Sequence, residues 1–217
     1  NTIFYSETSV TGDRSNESLY VHEIAHQWFG NMATEKTFAH LWLSEGFASY
    51  FTILYMEHKY GKEKAIELLK EEREAVLNFH NGKPVVNDTK NYMELLNPNS
   101  YQKGSWVLHM LRQELGDSLF WKSIRQYYTT YAGKTASTED LQKVAEAASG
   151  KKLDQFFRQW LYTTENPQLK ISWKYNAAAK QIQSTVEQLQ KGTLFQLPLQ
   201  VEMSFPGGKK ITQFMHL

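Results

Sequence analysis

His22-Glu23-Ile24-Ala25-His26, followed by a glutamate at position 45, constrains this chain more than any other feature. Residues four apart on an α-helix are separated by about 40° of rotation, so His22 and His26 project from one face, one turn apart. Two neutral imidazoles in that arrangement suit a single zinc ion, and they require the segment to be helical. Glu23 lies about 100° round the helix from His22, where its carboxylate can reach a metal-bound water without ligating the ion. That is the position of a general base. A catalytic zinc takes three protein ligands and keeps a fourth site open, so the third ligand must come from elsewhere in the chain. Glu45 is the candidate, and one Zn2+ held by His22, His26 and Glu45 is the expected cofactor.

The flanks add to the five-residue pattern, which by composition alone arises in roughly one such sequence in fifty. Leu19, Val21, Ile24, Ala25, Trp28 and Phe29 make the helix apolar nearly all round, which predicts that it is buried. Buried His and Glu side chains need partners, and a metal is one.

Two longer stretches carry a resemblance. His22-Glu23-Ile24-Ala25-His26-Gln27-Trp28-Phe29-Gly30-Asn31 and Leu41-Trp42-Leu43-Ser44-Glu45-Gly46-Phe47-Ala48-Ser49-Tyr50-Phe51 resemble the gluzincin aminopeptidases, the family of aminopeptidase N and the leukotriene hydrolases. The resemblance implies an α+β chain, with a mainly helical, thermolysin-like catalytic domain followed by a small β-sandwich segment. It also implies peptide substrates, cleaved at their amino-terminal residue. Tyr101-Gln102-Lys103-Gly104 is similar to the family's Tyr-x-Lys-Gly segment, which implies that Tyr101 stabilises the oxyanion of the tetrahedral intermediate. Composition and spacing do not single out Tyr101 from the twelve tyrosines. Without the resemblance it reads as a half-buried aromatic at the start of a helix.

Family members hold the substrate's α-amino group partly through a Gly-x-Met-Glu-Asn motif shortly before the zinc helix, and this sequence has none. Asn1-Thr2-Ile3-Phe4-Tyr5-Ser6-Glu7 resembles the stretch that follows that motif. The chain is therefore expected to be a fragment of a longer enzyme, with a β-rich amino-terminal domain and a helical carboxy-terminal domain as its partners. Ser44 stands where many relatives carry Asn, and His40 falls where an acid is common; neither change removes a ligand. Endopeptidases and epoxide hydrolases use the same metal site, and a non-catalytic peptide-binding relative is a further alternative. Both His, both Glu and Tyr101 together favour an enzyme.

Composition narrows the class further. A net charge of +1 over 217 residues, with Lys and Glu interspersed, gives no electrostatic case for nucleic acid. Zero cysteines exclude a disulfide scaffold and a thiolate zinc site. No apolar run approaches a membrane span.

Along the chain, Thr2-Ile3-Phe4-Tyr5 reads as a strand. Asn16 or Ser15 is expected to cap a zinc helix running to about Asn31. A second helix extends from near Leu41 to Gly61, and an amphipathic one spans Glu63 to Asn78, its charges forming a solvated face. Asn99 or Ser100 should cap a helix carrying Trp106, Val107, Met110 and Leu111, with Tyr101 in its first turn. Further helices are expected over Asp117 to Tyr131, from a capping box at Ser137 and Asp140 to Gly150, and over Leu153 to Tyr162. After Pro167 the period changes from helical to two, at Leu169, Ile171, Trp173 and Tyr175, then from Phe195 to Phe205. That change divides residues 1–166, the catalytic domain, from 167–217, the β-sandwich segment. His40, His58, His80, His109 and His216 lie outside the ligand spacing and read as surface or hydrogen-bonded core residues, His40 alone being near enough to orient a ligand.

Overall fold

Trp42–Tyr60 (α2) has large apolar or small residues on nearly every side. Trp42, Leu43, Phe47, Ala48, Tyr50, Ile53 and Met56 are all buried, as an all-round apolar helix requires when other elements surround it. The computed structural model describes residues 2–79, 82–85 and 91–217, and the chain divides into two compact units, residues 1–164 and 165–217.

In the first unit, Glu17–Ala25 (α1), Lys62–Asn78 (α3) and Gly104–Leu115 (α4) pack directly on α2. Asp117–Tyr131 (α5) and Thr138–Ser149 (α6) pack on each other, and Asp154–Leu161 (α7) meets α4. The backbone N–H of Ser137 donates to Asp140 Oδ2 at 2.9 Å, so α6 starts at the expected capping box. Two short strands, Ala33–Glu35 (β1) and Lys134–Ala136 (β2), pair in parallel with Thr34 opposite Thr135. The core between these elements is aromatic: the Phe29 ring stacks on Phe47 at 4.3 Å, and Phe47 on Tyr127 at 5.7 Å.

Several sequence expectations are corrected. Helix α1 ends at Ala25 with His26 as its C-terminal cap, rather than running to Asn31. Asn16 does not cap it through its side chain, because its Nδ2 donates instead to the Ser9 carbonyl at 2.8 Å. Nor is the helix buried all round. Leu19, Ile24 and Trp28 are exposed: Leu19 lines a cleft, Ile24 lies on a side of α1 open to solvent, and Trp28 lies beyond the end of the helix. Thr2–Tyr5 is irregular rather than a strand; its backbone pairs with no strand among the described residues. Tyr101 lies in a π-helical turn, Asn99–Lys103, that precedes α4, and the Asn97 side chain accepts from the Asn99 N–H there. His80 lies outside the described residues.

The approach of α2 to α4 explains two glycines. A Cβ on Gly46 would lie 2.8 Å from the Cα and the carbonyl carbon of Gly104, so the two backbones touch where a side chain has no room. This contact sets the turn carrying Tyr101 against the first turn of α2, which carries Glu45. Gly46→Ala is expected to destabilise the first unit by about 3 kcal/mol, lowering its Tm by about 5–10 °C in scanning calorimetry. An unchanged Tm would contradict backbone contact at this crossing.

The second unit contains two antiparallel hairpins, Leu169–Asn176 (β3) with Gln181–Gln188 (β4) and Pro198–Ser204 (β5) with Lys210–His216 (β6). The alternation of Leu169, Ile171, Trp173 and Tyr175 puts them on one face of β3, opposite Gln188, Val186, Ser184 and Ile182. In the connection after β4, both backbone groups of Phe195 bond the Gln188 side chain, at 2.7 and 2.9 Å. No helix among the described residues is long and apolar enough to cross a membrane.

Candidate active site

Helix α1 presents His22, its C-terminal cap presents His26, and the first turn of α2 presents Glu45. Packing of α1 on α2 brings their ligand atoms into a triangle. His22 Nε2 is 3.2 Å from Glu45 Oε2, His26 Nε2 is 3.3 Å from the same oxygen, and the two nitrogens are 3.1 Å apart. These three atoms can hold a metal ion. Tetrahedral zinc with bonds near 2.0–2.1 Å has ligand atoms about 3.3 Å apart, close to each side of the triangle. The donor chemistry fits as well: two imidazole nitrogens and a carboxylate oxygen converge on one point, and a cation satisfies all three together.

The surrounding chain aims these donors. His26 Nδ1 donates to the Phe29 carbonyl at 3.0 Å, which fixes the ring with Nε2 turned toward Glu45 as the nitrogen available to a metal. That carbonyl is within reach because the chain folds back after α1, through Gly30 at φ +119; a Cβ on Gly30 would sit 3.0 Å from His26 Nδ1. On the other side, the Tyr101 ring stacks on His22 with centroids 5.9 Å apart. Behind Glu45, the Ser44 hydroxyl donates to the Glu35 carboxylate, tying the start of α2 to β1.

Charge follows this geometry. Burial opposes ionisation of Glu45, but hydrogen bonds from His22 and His26 outweigh it and hold the carboxyl down to about 2. Burial, and then the Glu45 and Glu23 carboxylates, push the Tyr101 hydroxyl well above the usual phenol value, so its proton stays in place at neutral pH. Glu23 has no hydrogen bond or ion pair among the described residues. Its side chain lines the cleft.

All five residues singled out in the sequence, His22, Glu23, His26, Glu45 and Tyr101, line one cleft of about 660 Å3. Its far wall is α3, contributing Leu68, Glu71, Glu72 and Ala75. His40 does not enter. Its Nδ1 accepts from the Thr138 hydroxyl at 2.9 Å, while Trp42 Nε1 donates to that hydroxyl at 2.8 Å, so His40 ties the start of α2 to α6. Two contributors escaped the sequence reading. The Phe29 carbonyl is main chain and leaves no side-chain signal. Glu72 was grouped with the solvated charges of α3, although it follows Ala65 and Leu69 and precedes Val76 on that helix's apolar stripe.

Residues 1–160 match the family model described as the peptidase family M1 domain. The aminopeptidase M1 of Arabidopsis thaliana is 32% identical over 173 residues, which are 73% of this chain and 20% of that protein. Among solved structures, the M1 zinc metallopeptidase of Deinococcus radiodurans superposes with a TM-score of 0.64 at 27% identity, over 71% of this chain and 34% of that one. Aminopeptidase A of Legionella pneumophila gives a TM-score of 0.75 at 20% identity, over 92% of this chain and 23% of that one, which speaks to the fold alone. This chain belongs to peptidase family M1. It spans between about a fifth and under a third of the length of the curated relatives it matches.

Proposed function

We propose that this chain carries the hydrolytic centre of a zinc aminopeptidase, which removes amino-terminal residues from peptides. The carrying observation is the convergence of the His22, His26 and Glu45 donor atoms beside two proton-handling groups, Glu23 and Tyr101, in one cleft. His22, His26 and Glu45 would hold one zinc ion. Zinc in that position supplies Lewis acidity, making a water acidic near neutral pH and polarising the scissile carbonyl. The Glu23 carboxylate accepts the water's proton and delivers it to the departing amine nitrogen. The Tyr101 hydroxyl donates to the carbonyl oxygen as negative charge develops there, and its raised pKa keeps that donor protonated. The π-helical turn holds this hydroxyl over the site while α4 anchors the turn in the core. Residues 167–217 are read as the β-sandwich segment that follows the catalytic domain, supported by their two antiparallel hairpins.

A purely peptide-binding role would need neither Glu23 nor Tyr101 in the cleft. The test is turnover of aminoacyl anilides and free peptides by the intact protein, abolished by a chelator and restored by zinc. N-acetylation of the same peptide should stop cleavage. Cleavage of the acetylated peptide at an equal rate would make the protein an endopeptidase, and tight binding without turnover would make it a binding module.

A further inference from the structure

Helix α6 begins inside the protein, and the side chain that receives its first N–H comes from elsewhere in the chain. Thr138, the first residue of α6, is wholly buried, so its backbone N–H has no water to turn to. As one of the first four in a helix, that N–H also has no partner within α6. It donates to His40 Nδ1 at 3.3 Å, and the Thr138 hydroxyl meets the same nitrogen at 2.9 Å. A backbone N–H cannot turn round as a hydroxyl can. His40 Nδ1 must therefore keep its lone pair, and the ring serves here only as a neutral imidazole with its proton on Nε2.

The groups facing His40 are mixed in sign. Burial pushes its pKa below the ordinary value, Glu139 and Asp140 on α6 act to raise it, and Lys36, just after β1, acts to lower it. Both acids are already engaged, Glu139 by the Tyr162 hydroxyl and Asp140 by the Ser137 N–H. The positive end of the α6 dipole further opposes charge on the ring. The other side of this contact is the entry to α2. His40 closes the 3-10 turn Phe38–His40, and α2 opens two residues later at Trp42, whose Nε1 donates to the same Thr138 hydroxyl at 2.8 Å. Two side chains thus pin that entry to α6. Glu45 stands in the first turn of α2, its N–H bonded to the Leu41 carbonyl between them.

We propose that His40 is a positioning residue for Glu45: as a neutral imidazole it fastens the entry of α2 to α6 and so holds the Glu45 carboxylate at the two histidines, and on protonation it releases that entry. This rests on the reading of His22, His26 and Glu45 as a zinc site. Protonation puts an N–H on Nδ1 against the Thr138 N–H, donor facing donor, and leaves a buried N–H without an acceptor. Because the folded protein holds the pKa of His40 below its ordinary value near 6.5, the stability it contributes is complete above about pH 6.5 and is lost as pH falls through the lower, folded value.

Zinc affinity and its pH dependence are the readouts, with His40→Asn as the conservative variant, since the amide oxygen can stand where Nδ1 stands and accepts at any pH. Zinc dissociation constants of the intact parent protein, His40→Asn and His40→Ala are measured by competition with a chelator at about pH 7.5 and about pH 5.5. At the higher pH the parent and His40→Asn should hold zinc equally, and His40→Ala about tenfold more weakly. At the lower pH, protonation of His22 and His26 weakens all three, but the parent should fall behind His40→Asn by up to about tenfold, toward His40→Ala. The Tm of the metal-free proteins should show the same order, with the parent beside His40→Asn at the higher pH and nearer His40→Ala at the lower. A parent-to-Asn ratio unchanged by pH overturns the proposal, as does parent-like zinc affinity in His40→Ala at the higher pH. Should His40→Ala fail to fold, the parent and His40→Asn decide on the same terms. A parent protein that holds no zinc at the higher pH sinks the zinc-site reading instead, and the Tm order of the metal-free proteins then decides whether His40 fastens α2 to α6.

Discussion

In Glu23→Gln, zinc stays bound at about one equivalent while peptide hydrolysis falls by about three orders of magnitude. The amide has the shape of the carboxylate and keeps its place on α1, but it cannot accept a proton at neutral pH. Both proton transfers of the proposed reaction then lose their carrier, from the water and to the leaving amine. The structure makes this a clean substitution: Glu23 has no hydrogen bond or ion pair among the described residues, so nothing in the fold depends on its charge. The expected signature is a fall in kcat with KM and zinc content little changed. Full activity in this variant would remove Glu23 from the base role, and loss of the metal would recast it as a ligand.

Glu45→Ala has the opposite signature, since it releases the metal itself. Glu45 supplies the oxygen that both imidazoles approach, at 3.2 and 3.3 Å, and its ionised form is already favoured without a metal by the hydrogen bonds from His22 and His26. Removing it deletes one of three donors and the site's negative charge together. By contrast, loss of a residue that merely orients a ligand typically costs 10–100-fold in metal affinity. Zinc content after gel filtration should fall from about one equivalent to below about 0.1, with activity falling in parallel. Added zinc should raise the Tm of the parent protein, because the ion binds only the folded state, and should leave that of the variant unchanged. One equivalent of zinc still tightly held by the variant would refute Glu45 as a ligand.

The helices were largely legible because their signals are local. Gly61 marks the end of α2, the Ser137 and Asp140 capping box marks the start of α6, and the change to period two after Pro167 precedes the hairpins. Misreadings arose where a residue's role depends on a distant partner. Asn16 looked like a helix cap, yet the Ser9 carbonyl takes its side chain. Ile24 and Trp28 looked buried by hydropathy, yet Ile24 lies on the open side of α1 and Trp28 beyond its end. Thr2–Tyr5 has strand composition, and composition cannot provide the neighbouring strand that would make it one. Glu72 was hidden among the charges of α3 because its apolar-stripe position becomes meaningful only when that stripe is seen to wall a cleft.

By itself, the sequence determined how His22, Glu23 and His26 stand relative to one another. Spacing along one helix puts His22 and His26 on one face with Glu23 beside them, a consequence of backbone geometry that holds in any fold. Tertiary structure alone decided that the Glu45 oxygen stands within 3.3 Å of both imidazoles and that Tyr101 stacks on His22. It also decided that Glu72 faces the same space. These placements depend on α1 packing against α2, on backbone contact at Gly46 and Gly104, and on α3 closing the cleft. Such contacts join residues far apart in the chain, and no local spacing encodes them.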